Sequence, residues 1–179
     1  MFLGNGDRKS GTGAFIGYDI SDRFAQISFW MPGADKPETL TQVMGEEQYM
    51  IPAVLCRRTD RDVWTYGREA LKNAAAGDGI LVENLLSKAL AGESVEVDGE
   101  SYEGAVLLSL FIKRSLSLLA GAGNPEKAGM FLFTLEKVDK QTVEVLSRVA
   151  ALISLPPERV SCQSRAESFF YYNINQPEE

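Results

Sequence analysis

The carboxyl-terminal third of this chain alternates strand-like and helix-like segments twice, and that alternation limits the fold more than any other feature. Residues 129–135 (GMFLFTL) are a short continuous apolar run, the pattern of a strand covered on both faces. Asp139 follows as a helix cap, and Val143, Leu146, Val149, Ala150 and Ile153 then recur at helical spacing in one apolar stripe. Pro156-Pro157 ends that helix, because proline has no amide hydrogen to donate and disfavours helix at the residue before it. Residues 159–163 (RVSCQ) supply a further strand and 165–174 (RAESFFYYNI) a last helix. Two strand-helix units in series predict parallel strands with right-handed crossovers.

The earlier part reads as antiparallel. Segments 14–20 and 24–31 are rich in aromatic and β-branched side chains, with only a few polar residues between them, and predict adjacent strands. Segments 49–56 and 63–66, joined by the charged turn RRTDRD, read as a second hairpin. In VEVDGESY (95–102), Asp98-Gly99 between alternating runs signals a third. Residues 67–76 (GREALKNAAA) and 80–90 (ILVENLLSKAL) read as helices broken by Gly77 and Gly79. Ala105, Leu108, Ile112, Leu116 and Leu119 predict another from about 103 to 120. Residues 1–12 are glycine-rich and polar, an expected flexible arm.

Composition narrows the chemistry. A chain of 179 residues, 45% hydrophobic and 24% charged, is ordinary globular material for one domain. A net charge of -7 opposes a nucleic-acid backbone or an anionic membrane, so a small molecule or a protein is the expected partner. There is no histidine, which removes imidazole bases and histidine metal sites. Cys56 and Cys162 stand alone, the pattern of buried free thiols in a reducing compartment. No apolar run approaches the roughly 18 residues of a membrane span, and the amino terminus is not signal-like. The expected location is cytoplasmic.

An antiparallel meander feeding helix, strand, helix, strand, helix resembles the ribonuclease-H-like fold. More closely, the chain is similar to the first lobe of the actin, sugar-kinase and heat-shock chaperone ATPase superfamily, above all to the seventy-kilodalton chaperones. Gly17-Tyr18-Asp19-Ile20-Ser21-Asp22-Arg23 matches the place of their Gly-Ile-Asp-Leu-Gly-Thr-Thr strand and turn. IPAVLC (51–56), YGREALKNAA (66–75), VEVDGESYEGAVLLSLFIKRSL (95–116) and the stretch from Gly129 to Ile174 resemble later elements in the same order. The resemblance implies an α/β lobe on a mixed five-stranded sheet over 13–179, with a small inserted subdomain at about 57–103 carrying a β-hairpin.

It also implies a site. Asp19 would help hold a hydrated magnesium ion beneath the phosphates of ATP, a role suited to a hard oxygen ligand. Ser21, Asp22 and Arg23 would form the phosphate turn, in place of the family's glycine and two threonines. Asp22 would set a negative charge beside a polyphosphate, costing about 1 to 4 kcal/mol at about 4 Å, whereas Arg23 could bond a phosphate oxygen. Alternatively, Asp22 and Arg23 simply occupy an exposed turn. Gln163 matches the glutamine that orients the attacking water in actin-type members. The position of the chaperones' catalytic lysine falls on Leu85, and Lys88, one turn on, reads as a solvated helix residue.

The nucleotide of that superfamily lies between two lobes, so completion would need a second lobe or a protein partner, with a longer chain as the expected source. Two functions follow from the resemblance: the amino-terminal lobe of a chaperone-like or actin-like ATPase, or a catalytically silent protein-interaction module that has lost the phosphate turn. A nuclease using Asp19 with Glu47 or Asp60 is a third.

Overall fold

The computed structural model describes residues 13–43, 45–119, 125 and 128–174, with 171–174 described by their backbone alone. The arm read over 1–12 lies outside the described residues. The protein is α/β, built on a mixed sheet. Strands β1 (Phe15–Ile20) and β2 (Phe24–Trp30) are antiparallel. The free edge of β2 is shared by two short strands, β3 (Glu38–Thr39) and β4 (Ile51–Pro52). On the other side β10 (Met130–Leu135) runs parallel to β1, and β11 (Val160–Ser164) parallel to β10. The order is therefore β11-β10-β1-β2-β3 with β4 beside β2, six strands in five positions.

The segment read as one strand over 49–56 divides between two sheets. Pro52 lacks an amide hydrogen and sits at an edge, as proline must in a sheet, and the Ala53 amide bonds the Arg23 carbonyl at 3.0 Å. The chain then turns into β5 (Leu55–Arg58), which pairs with β6 (Trp64–Tyr66) as read and also with β7 (Gly79–Val82). Strand β7 corrects the reading of 80–90 as one helix. Ile80, Leu81 and Val82 extend along β5, and Gly79 permits the approach: a Cβ there would stand 2.5 Å from the Arg57 carbonyl oxygen and from Cys56 Sγ.

The helices are α1 (Gly67–Ala75), α2 (Leu85–Ala91), α3 (Gly104–Ser115), α4 (Lys140–Leu152) and α5 (Arg165–Ile174). A single 3-10 turn, Leu116–Leu119, extends α3 to about the length its stripe predicts. Between α2 and α3 lies the hairpin of β8 (Ser94–Val97) and β9 (Glu100–Glu103), whose Asp98 and Gly99 both have positive φ, 53° and 79°, as an Asp-Gly two-residue turn requires. A Cβ on Gly104 would meet the main chain of Lys88 and Ala89 at 2.7–2.8 Å, so α2 and α3 pack nearly backbone to backbone at that point. Asp139 caps α4 as read, accepting from the Thr142 amide at 2.9 Å and hydroxyl at 2.8 Å.

Alternation along the strands sets the core. Ile16, Tyr18 and Ile20 of β1 and Phe131, Phe133 and Leu135 of β10 are buried, packed with Leu107, Leu108, Phe111 and Ile112 of α3 and Leu146 and Val149 of α4. Burying this apolar surface is the main term favouring the fold. The Tyr18 hydroxyl lies 2.6 Å from Ser115 Oγ, and Ser115 donates to the Ile112 carbonyl at 3.0 Å, so both buried hydroxyls are satisfied. The opposite face of β10 corrects the expectation of cover on both sides. Met130 is 44% exposed, and Leu132 and Thr134 are only half-buried. No helix among the described residues is long and apolar enough to cross a membrane.

Candidate functional site

Asp19 lies near the carboxyl end of β1 on the face opposite Tyr18. Strand register places it beside Thr134 of β10, and Thr134 beside Gln163 of β11. Two of the predicted residues, Asp19 and Gln163, thus share one row across three parallel strands, at the carboxyl end where α/β sheets bind ligands.

The cation on that row is supplied by the chain itself. Arg165, the first residue of α5, sets Nε 2.8 Å from Asp19 Oδ2 and 3.2 Å from Oδ1, and Nη2 2.7 Å from Oδ1. Thr134 Oγ1 donates to Asp19 Oδ2 at 2.9 Å. A carboxylate offers about four lone-pair directions, and three donor hydrogens occupy most of them, the Nε hydrogen being shared between both oxygens. A magnesium ion bound directly to Asp19 would compete with the guanidinium for its oxygens. Arg165 also donates to the Ile20 carbonyl at 3.2 Å and to Glu136 at 3.1 Å.

The turn after β1 is equally committed. Ser21 Oγ donates to the Phe24 carbonyl at 3.0 Å and accepts from the Phe24 amide at 3.1 Å and the Arg23 amide at 3.3 Å. The Ser21 amide bonds the Phe24 carbonyl at 3.0 Å. Three amides a phosphate could use are therefore bonded within the turn, as serine does when it closes a local backbone ring. Asp22 reaches across the molecule to α2, where Oδ1 accepts from the Ser87 amide at 2.9 Å and Oδ2 from the Ser87 hydroxyl. Arg23 is exposed, its guanidinium 5.7 Å from the centre of the Phe24 ring.

Gln163 points its amide oxygen at α5, accepting from Ser168 Oγ at 3.0 Å. Ser164 and Glu167 form a capping box at the start of α5: the Ser164 amide donates to Glu167 Oε2 at 2.9 Å and the Glu167 amide to Ser164 Oγ at 3.2 Å. The Ser164 amide, followed by its hydroxyl, holds the Glu167 carboxyl below its usual value. This box was readable from Ser-x-x-Glu, whereas Arg165 had no local signal. Lys88 donates to the Glu83 carbonyl at 2.9 Å and stays on the surface.

The other candidates lie elsewhere. Asp60 is paired with Arg58 and Arg61, whose hydrogen bonds hold its carboxyl down at about 2. Among the described residues no group of three or more histidine, cysteine, aspartate or glutamate side chains could hold a metal. Both cysteines are free; Cys56 is buried, with its thiol pushed up by desolvation. Cys162 corrects the reading of two buried thiols. It is half-buried in a cleft of about 280 Å³ between β11 and α4, with Val143, Leu155 and Val160. Phe169 and Phe170 of α5 are 70% and 62% exposed.

Fold and site together define an α/β protein whose sheet carries, at the carboxyl ends of its parallel strands, a carboxylate neutralised from within the chain. Residues 36–179 match the model described as Family of unknown function (DUF5716) C-terminal, and the chain belongs to that family. No curated protein matches it in sequence.

Proposed function

We propose that this chain is a protein-interaction module built on the lobe architecture of the actin-like and chaperone ATPases, and that it has given up their nucleotide chemistry. The strand order supports the architecture: three antiparallel positions followed by two parallel strands added on the other side of β1 suit a ribonuclease-H-like lobe. One observation carries the loss of chemistry. The groups the resemblance assigns to metal and phosphate are bonded to the protein itself: Asp19 to Arg165 and Thr134, the Ser21–Phe24 turn to its own serine, and Asp22 to Ser87.

An ATP γ-phosphate or its magnesium would have to break several charge-assisted hydrogen bonds to enter. Such bonds are roughly twice as strong as neutral ones. Gln163, a β11 residue turned toward Ser168, then ties the strand to α5 rather than holding a water. Isothermal calorimetry with magnesium ATP and magnesium ADP, on this chain and on any longer gene product that adds a second lobe, tests the reading. Heats indistinguishable from dilution at millimolar nucleotide are expected; saturable binding that weakens in Asp19→Ala would restore the ATPase lobe.

A further inference from the structure

Arg165 is held more completely than a surface ion pair requires. One guanidinium reaches both oxygens of Asp19, the Ile20 carbonyl at the end of β1, and Glu136 just beyond β10. It does so from the first turn of α5, where the helix dipole disfavours a cation, so the pairing with Asp19 overrides a local preference. Asp19 and Arg165 are each about two-thirds buried, with side chains 35% and 36% exposed. Two further polar ties from the start of α5, Glu167 to Ser164 and Ser168 to Gln163, run to the adjoining strand β11. Arg165 bonds α5 to β1 and to Glu136 just after β10.

We propose that Arg165 is a tethered cation: it takes the position of a divalent ion at the Asp19 carboxylate and fastens α5 to the sheet without metal. The inference rests on the reading of this chain as a lobe without nucleotide chemistry. Only a planar fork meets both carboxylate oxygens and a carbonyl at once; a lysine, a point charge on a flexible stem, would keep the charge and lose the fit.

The test compares wild type with Arg165→Met, which keeps the apolar stem, and Arg165→Lys, the milder change. Hydrogen exchange of the 166–170 amides is expected to quicken about tenfold in Arg165→Met, with the β1 and β10 amides unchanged, and Lys recovers only part of the protection. Millimolar manganese chloride should leave the wild-type melting temperature where sodium chloride of equal ionic strength leaves it. It should raise that of Arg165→Met, and Asp19→Asn in the same background should abolish the rise. Unaltered exchange in Arg165→Met, or a manganese-dependent rise in wild type equal to the variant's, overturns the proposal. A wild-type chain that gains stability from manganese yet gives no heat with nucleotide overturns only the tethered cation. Nucleotide binding in the calorimeter strikes the preceding reading instead.

Discussion

Replacing Asp22 by alanine probes whether the turn after β1 is a fastening or a phosphate loop. Ser87 is the third residue of α2, so its amide is one of the first-turn donors with no acceptor inside the helix. Asn84 at the cap position has φ of 55° and makes no capping bond with its side chain. Asp22, 65 residues away in sequence, does that work through the Ser87 amide and hydroxyl.

A local cap is worth about 0.5–2 kcal/mol, and a hydrogen bond to a charged acceptor about 1.5–3 kcal/mol. Both bonds here are at the surface, where water replaces part of what is lost. The expected cost of Asp22→Ala is therefore about 1–1.5 kcal/mol, or about 3–5 °C in melting temperature for a chain of this size. Urea denaturation with an unchanged slope reads it. Asp22→Asn, which keeps an acceptor for the amide, should cost less. Ser87→Ala should combine with Asp22→Ala less than additively, because the two share a bond. Asp35→Ala, an exposed acid, serves as control. A D22A chain within about 0.5 kcal/mol of wild type, the range of an uninvolved surface site, refutes the reasoning.

The buried hydroxyl pair predicts an asymmetry. Tyr18→Phe should cost about 1 kcal/mol, since Ser115 keeps its bond to Ile112, while Ser115→Ala should cost up to about 3 kcal/mol by stranding the Tyr18 hydroxyl among Phe131 and Phe133. Urea melts that rank the two the other way contradict it. The Asp139 carboxyl is held below its usual value, chiefly by the Thr142 amide. Its contribution is thus complete above the unfolded pKa and is lost as pH falls through the lower folded one. Asp139→Asn should flatten the acid limb of a plot of melting temperature against pH; an unchanged limb removes Asp139 from the linkage.

Spacing and turn chemistry made the scaffold legible. The stripe of α4 with its Asp139 cap, the Asp-Gly hairpin and the paired runs of β1 and β2 are written in neighbours along the chain. Strand β7 is not legible locally because three apolar residues, Ile80, Leu81 and Val82, next to a helical stripe have no period of their own; pairing with β5, permitted by Gly79, decides it. The division of 49–56 between two sheets likewise depends on which edges lie nearby. By itself the sequence determined that parallel strands would follow an antiparallel pair, and that Asp19 would stand at the end of the first. Only the tertiary structure decided what meets that carboxylate and its neighbour Asp22: Arg165 and Ser87 are remote in the chain, and a charge is neutralised by whatever packing brings within about 3 Å, which no local pattern records.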